Sequence, residues 1–574
     1  MIVVELEIYQ DTKVFVPHSP FVYKSIEGAH TTSDYWTTTF GATGDSSVQI
    51  IQVNSVIIQP STYLSKQSSI TLCQNTIQSF YFDETAQTLY VHVPHNIDIF
   101  QNTVRAGVSI NGTNGDVVLI GGFQYDPIVR QVPNVTQKQD YIKYNTLSFL
   151  SGNIVFSNVG GEFDDIITSP IYGNEIRQYY LPNGKLDYLR SELVPIASYF
   201  VEDFDFSLSE FTINVQDKRK SGNANILSNA DFSAGSGSIE NVPLVYGQVR
   251  ALECLVDEEE GTTGSVNFRA AVVLTALGTI QYWNDSNKTW NTVTAASSDL
   301  PNGRFVLTAA NGREGGVSGG TPRKVRLLEP TGITPAKPSD VIKDLNLRTI
   351  GTAYNSTNYD TAEWEAEETG FTSIGVCFDS QMKLIEAIKK VQEGSYPGFR
   401  YEIAADGRRT IRINDWTRAV SKNISWFDIK DNMTLKVTTD YTSYFASVKV
   451  KYDRDFNEGK FKSVRNTTYQ TDSFNKYRQK PEIEIESYQV SSTDANALAL
   501  WWAERLHLIR GVVNITLHGQ EYYSTRIYDI LNIELCTENR AYFGSWKAQV
   551  LSVAPKFNEL STTITAVLIE KLEC

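Results

Sequence analysis

The chain has 574 residues, 41% of them hydrophobic and 20% charged, with a formal net charge of −15 at pH 7. That length and apolar share supply several domains and several cores. The acidic balance, with basic residues clustered only in short pieces such as DKRK (217–220) and GRR (407–409), argues against a reader of nucleic acid, while leaving room for a protein that DNA passes without sticking.

The chain opens on MIVVELEIYQ, which alternates, carries Glu5 and Glu7, and lacks the basic flank and apolar centre of a secretion signal. No later apolar run approaches the roughly 18 residues a membrane helix needs, so no stable membrane insertion is expected. Short alternating strands follow, with QTLYVHV (87–93) and FTINVQD (211–217) the cleanest before residue 220, separated by Asn-Gly turns at 111–112 and 183–184. The Gly/Ser/Asn-rich stretch 221–241 reads as a linker or loop.

NVPLVYGQVRALEC (241–254) then sets Tyr246, Gly247 and Arg250 close together and is read as a joint between modules: Tyr246 packs, Gly247 permits a tight backbone turn, and Arg250 pairs across a domain contact. A plain strand with a bulge at Gly247 is the simpler alternative. The four acids of VDEEEG (256–261) read as a solvated run, and Trp283 and Trp290 as one hairpin, packed or offered to a sugar. NGREGGVSGGTP (311–322) reads as a glycine-rich hairpin tip, and the proline-rich 329–340 precedes an αβ segment.

Two segments have helical periodicity. In 379–394, Ser380 caps, Met382, Ile385, Ile388 and Val391 make the stripe, and Gly394 takes a left-handed exit. In 492–511, Thr493 or Asp494 caps, and Leu498, Trp502, Leu506 and Ile509 share a face that packs on a sheet. ASVKVKYD (446–453) is the clearest strand, and YDRDFNEGKFKSV (452–464) reads as a charged hairpin tip: Glu458 and Val464 stand where a calcium loop requires Gly and Glu.

The segments 173–181 and 199–217 find a counterpart in 528–535 and 542–570. Each pair has a strand rising from a turn, a second strand, a polar tip and a Thr/Ile-rich closing strand, which reads as one small barrel built twice; chance likeness between β meanders is the alternative, since alternation is generic. The expected class is therefore mainly β with a small α+β part: a first barrel domain with N-terminal elaboration (1–220), the linker (221–240), a small β insert (241–330), an α+β domain (335–420), and a second barrel domain with one helix (421–574).

No residue pattern in the sequence carries a catalytic, cofactor-binding or metal-ligating assignment, and no cofactor is expected. His92 and His95 flank a proline without a supporting carboxylate or Cys cluster, Asp164 and Asp165 have no convergent partner, and no nucleophile elbow, zinc-protease or phosphate-loop motif occurs. The five cysteines, Cys73, Cys254, Cys377, Cys536 and Cys574, are scattered and read as reduced thiols, and Asn-x-Ser/Thr triplets such as those at Asn111 and Asn287 as chance matches.

The ordered series FYFDETAQTLYVHVP (80–94), GGFQYDPIVRQVPNV (121–135), LSGNIVFSNVGGEFDD (150–165), GNEIRQYY (173–180), LSEFTINVQDKRK (208–220), PLVYGQVRALEC (243–254), IQYWNDSNKTWNTV (280–293), NGRFVLTA (302–309), PSDVIKDL (338–345), YEIAADGRRTIRI (401–413) and ASVKVKYDRDF (446–456) resembles the tail hub proteins of tailed bacteriophages, gene-transfer particles and contractile injection machines. The resemblance spans nearly the whole chain, with 221–241 and 311–322 longer than the family pattern. It implies a non-enzymatic virion protein at the distal end of the tail, made in the bacterial host cytoplasm. It further implies a homotrimer whose two barrel hub domains per subunit make a pseudo-sixfold ring between tail tube or distal tail protein and a central spike or fibre, around the genome-ejection channel and in reach of the tape-measure protein. The alternatives are a hub-associated cell-wall hydrolase, for which the chain leaves no room beyond its second barrel, or a receptor- or carbohydrate-binding tail protein.

Overall fold

A computed structural model describes residues 264–430, 435–439, 444–537, 541–556 and 561–572; before residue 264 it describes strand backbone throughout and side chains chiefly in 129–133, 152–158, 171–180, 193–207, 209–216 and 242–257. The fold is mainly β, with several curled half-barrel sheets and a smaller helical part. The residues His18, His30, His92, His95, Asp164, Asp165, Cys73, Asn111 and Cys574 lie outside those whose side chains are described.

The first sheet is built from β1 (Ile2–Ile8), β2 (Asp11–Phe15), β3 (Val129–Gln131), β5 (Ser151–Ser157), β6 (Glu175–Tyr180), β7 (Val194–Phe206) and β8 (Glu210–Asp217), in the order β3-β5-β8-β7-β6-β1-β2. The two-residue strand β4 (Gln137–Lys138) leaves this sheet for the second. Alternation buries Ile154, Phe156, Ile176, Tyr199, Phe211, Ile213 and Val215 on one face, where Phe163 stacks on Phe211 at 4.7 Å.

Leu244–Tyr246 pairs with Val376–Phe378 inside an αβ unit, so this stretch belongs to that unit's core. The chain then makes a seven-stranded β insert between residues 251 and 328 and returns to α1 (Pro338–Ile350), α2 (Thr361–Glu368) and α3 (Leu384–Glu393). α1 and α2 carry weaker stripes than α3 and were not among the helices expected from periodicity. α3 starts later than expected, because Met382–Lys383 is tied to Asn225–Ile226 as a strand pair and Leu384 N–H donates to Ala224 O. Its buried stripe is consequently Leu384, Ala387, Ile388 and Val391, without Met382 or Ile385. Gly394 has φ −92°, not the expected left-handed exit. The glycine is needed for another reason: a Cβ there would lie 2.1 Å from Cδ2 of Tyr488.

The 311–322 stretch is no hairpin tip, since the flanking strands Arg304–Leu307 and Val325–Leu328 pair with other partners. It coils into short helical turns around a buried Arg313, whose Nε donates to Gly264 O at 2.7 Å and Nη1 to Gly320 O at 2.8 Å.

The second sheet contains β9 (Val420–Ile424), β10 (Ile429–Lys430), β11 (Val437–Thr439), β12 (Gly511–His518), β13 (Ile530–Leu535), β14 (Gly544–Lys556) and β15 (Ser561–Lys571), ordered β9-β13-β14-β15-β12-β10, with β11 also on β12 and β4 on β14. Between β11 and β12 the chain makes a separate three-stranded sheet around Ser447–Asp455, with α4 (Gln470–Tyr477) and α5 (Ser492–Leu506). The Ser447–Asp455 and Lys460–Thr468 strands form the expected charged hairpin. α5 is capped by Ser491, not Thr493 or Asp494: its Oγ accepts from both of their N–H groups, at 3.1 and 3.4 Å. It ends at Leu506, and Gly511 opens β12.

The two sheets share more than class. Five strands of each follow one order, β3-β5-β8-β7-β6 and β10-β12-β15-β14-β13. Ile154 faces Ile213 as Ile515 faces Ile564. The long strands, 13 residues in both, bulge at one place: Val201 faces Val215 and Asp203 faces Asn214, as Val550 faces Ala566 and Ser552 faces Thr565. At the corner before β6, Gly173 N–H donates to Val201 O at 2.9 Å and Val201 N–H to Asn174 O at 3.0 Å. Before β13, Tyr528 N–H donates to Val550 O and Val550 N–H to Asp529 O, both at 3.0 Å. The residue at the corner is left-handed in both, Gly173 at φ 78° and Tyr528 at φ 68°.

Ile213 and Ile564 occupy one register position in twin cores and are both fully buried. Ile213→Ala and Ile564→Ala should each cost about 2–5 kcal/mol, read from denaturant unfolding of the full chain.

Candidate functional site

Tyr246, Gly247 and Arg250 lie where the β insert leaves and rejoins the αβ unit, and each reaches a different neighbour. The Tyr246 ring is fully buried and meets Phe378 edge-on, while its hydroxyl donates to Asp344 Oδ2 of α1 at 2.7 Å. Burial, then the Asp344 carboxylate, push that hydroxyl well above the ordinary tyrosine value, so it stays a donor. Gly247 sits between the outgoing and returning chains: its N–H donates to Ile333 O at 3.0 Å, and Gly332 N–H donates to its carbonyl at 2.9 Å. Its φ is +66°, and a Cβ would stand 2.1 Å from the Ile374 carbonyl oxygen. Arg250 Nη1 meets Asp453 Oδ2 of the Ser447–Asp455 strand at 2.6 Å, with the Arg250 side chain 46% exposed and Asp453 12%.

A separate contact between units carries more buried charge, and its residues have no marked motif in the sequence. The hairpin of Phe399–Ile403 and Arg409–Ile413 turns Arg400, Glu402 and Arg412 inward against the corner before β13. Arg526 Nη2 meets Glu402 Oε1 at 2.5 Å and its Nη1 meets Glu363 Oε1 at 2.8 Å. Arg412 Nη2 meets Asp529 Oδ1 at 2.7 Å, and its Nη1 donates to Ile527 O at 3.0 Å. Thr410 Oγ1 donates to Glu363 Oε2 at 2.8 Å. The cluster thus fixes the αβ unit to the second sheet. Nearby, Trp416 Nε1 donates to Gln549 Oε1 at 2.9 Å, and the Arg505 guanidinium lies between Trp501, 3.8 Å away, and Trp416, 4.7 Å away. Trp502 is buried in the core between α5 and its sheet.

Burial alone would raise the Glu402 carboxyl; the guanidiniums of Arg526, Arg400 and Arg412 outweigh it and hold the group at about 2. Alternation hid these residues. In the two strands of RYEIAADGRRTIRI, Arg400 and Glu402, then Thr410 and Arg412, alternate with apolar residues, the pattern of a strand with one wet face, and the wet face is here covered by another unit. The one signal available was three charges of mixed sign on that single face.

The two sheets also hold each other directly. β4 from the first module pairs with β14 of the second, Gln137 facing Val553 and Lys138 facing Ser552. In return Tyr523 enters the first core and meets Tyr180 edge-on at 5.5 Å. In the insert, Trp283 and Trp290 face each other across the hairpin at 5.4 Å, and Arg326 covers the Trp290 ring at 4.1 Å. Among the described residues, no group of three or more His, Cys, Asp or Glu is placed to hold a metal.

No family model matches the chain and no curated protein matches it. Among solved structures it is similar to phage tail proteins. One is the tail protein from Neisseria meningitidis MC58, at 8% identity over 79% of this chain and 95% of that one, TM-score 0.36. Another is the 43 kDa tail protein of prophage MuSo2 from Shewanella oneidensis, at 10% identity over 79% and 99%, TM-score 0.34. A third is prophage tail protein gp18 from Listeria monocytogenes EGD-e, at 9% identity over 56% and 95%, TM-score 0.27.

Gly247→Ala adds a clash with backbone to left-handed strain and should cost about 3 kcal/mol or more, whereas Gly173→Ala, with nothing within 4 Å of the new methyl, should cost only the strain, about 1–2 kcal/mol; unfolding midpoints of the two variants test the contrast. Because Glu402 is held below the ordinary 4.5, its stabilisation is present above about pH 4.5 and lost as pH falls toward 2. Glu402→Gln should remove that acid dependence and cost on the order of 3 kcal/mol at neutral pH, measured by unfolding across pH.

Proposed function

We propose that this chain is a structural, non-catalytic component of a phage-like tail tip: a hub whose three copies close into a ring of six like sheets. The observation that carries this reading is the five-strand motif present twice in one chain with one order and one bulge register. A heterologous contact that closes after three copies then gives a threefold assembly with a pseudo-sixfold face. Such a ring seats a sixfold tail tube or distal tail protein on one side and a threefold spike or fibre on the other, with the tape-measure protein and the genome passing through its centre.

The ordered motif series supports the same reading, and so does rigidity. The buried ion cluster, the Arg250–Asp453 pair and the mutual insertion of β4 and Tyr523 lock the units of one chain together, as a load-transmitting part requires. Tyr246, Gly247 and Arg250 act in this reading as the joint that orients the β insert. The net charge of −15 suits a channel wall that repels phosphates and lets DNA slide.

Light scattering on the purified chain should give three times the 64.4 kDa chain mass at micromolar concentration, and averaged images should show a threefold ring with six similar lobes. A monomer under all conditions, or a ring of unlike lobes, overturns the reading.

A further inference from the structure

The two modules are twins in register but not in what covers them, and the difference lies along the long strand. In the second module β14 continues past its bulge, and Ser552 and Val553 are paired by β4. The equivalent positions in the first module are Asp203 and Phe204 of β7. There, among the described residues, no strand pairs with β7 on the β6 side beyond Val201. The Phe204 N–H is taken by the carboxylate of its own neighbour, Asp203 Oδ1, at 2.8 Å. Asp203 and Asp205 are exposed, and an aromatic patch flanks them: Tyr172 is 59% exposed and lies 5.3 Å from Phe204, and Phe206 is 37% exposed.

The occupant follows from chain order. β4 is the strand after β3, and it bridges from the first sheet to the long strand of the second. The counterpart of β3 is β10, because Val129 faces Phe156 as Ile429 faces Leu517. The strand after β10 is β11, Val437–Thr439. β11 pairs with β12 along one edge, and among the described residues nothing pairs with its other edge. Lys436, immediately before it, is exposed, and so is Thr438.

We propose that β11 of one copy of this chain adds to the open stretch Asp203–Phe206 of β7 in the next copy, with Lys436 set against Asp203 and Asp205 and the Tyr172–Phe206 patch covered. The inference rests on the ring reading and deepens it, naming the strand pair that joins subunits. β4 on β14 is the contact within a chain, and β11 on β7 is its quasi-equivalent between chains. Main-chain pairing supplies the affinity, and the acids select the partner: exposed Asp on a free edge deters indiscriminate strand addition and admits a strand that brings a Lys.

The test compares the full chain with Asp203→Lys/Asp205→Lys, and with the same double variant plus Lys436→Glu, by sedimentation over a concentration series, with thermal unfolding confirming that all three fold. The double variant should raise the concentration for half-dissociation of the trimer about tenfold or more, and Lys436→Glu should bring it back to within about threefold of the parent. A parent trimer that the double variant leaves unchanged overturns this contact while the ring stands. Weakening that Lys436→Glu does not repair overturns β11 as the occupant. A parent chain that never trimerises overturns the ring and this contact with it.

Discussion

The architecture depends on how a strand of 13 residues is bent. A strand that long, paired on both sides, would extend a twisted sheet instead of curling it. In each module the ladder to the closing strand is broken after a matching residue, Val201 or Val550, where an extra residue accentuates the twist. The two main-chain hydrogen bonds from the left-handed corner then bind that same residue from the other side. Bulge and corner act as one device: the corner brings the preceding strand in at the place where the long strand turns, so curvature and register are set together. At Gly173 the left-handed backbone is free of side-chain strain; at Tyr528 it is held against strain by a fully packed ring.

With the backbone device constant, side chains at the corner decide what each module carries. Ile171 and Arg526 occupy the same place, each accepting at its carbonyl the N–H three residues on. Ile171 is buried in the first core. Arg526 points the other way in chemistry, and with Asp529 it receives the buried charges of the αβ unit. A charge cluster of this kind adds little net stability over an apolar contact, but removing one member leaves a buried ion without its partner, so it enforces a single docking geometry. The second module therefore anchors the αβ unit, and the first has an apolar corner beside a strand edge that no described strand pairs.

How much of this the sequence announces depends on the range of the interaction. Alternation in FTINVQD and ASVKVKYD marks strands because burial on one face of a sheet is local. The pairing of 173–181 with 528–535 as repeats was legible for the same reason: the strand periods and the turn before them are short-range. Helix starts were less so. Four residues of capping type, Ser491, Ser492, Thr493 and Asp494, crowd one stretch, and only the geometry picks Ser491; α3 begins at Leu384 because a distant segment, Asn225–Ile226, claims Met382–Lys383. Gly394 looked like a helix terminator and is instead a place where Tyr488 comes too close for a side chain. The inward-facing charges of Arg400, Glu402 and Arg412 were the least legible, since a covered face and a solvated face have the same alternating sequence until the covering unit is known.

A motif present twice in one chain would also change the energetics of closing the proposed ring. Six separate modules would have to form six associations between free bodies, each bearing the loss of translational and rotational freedom. Three covalent pairs form only three; the other three junctions are intramolecular and set at high effective concentration. The intramolecular junction here is secured twice, by strand pairing at β4 and by Tyr523 in the neighbouring core. The two modules have different surroundings: among the described residues no strand pairs with the long strand of the first beyond Val201 on that side, and the second meets the αβ unit through buried charges. In the proposed ring such a face would present sixfold spacing at the level of sheets and threefold spacing at the level of everything the sheets carry. The difference between Ile171 and Arg526, at one position of one shared backbone, is where the two modules of the chain part.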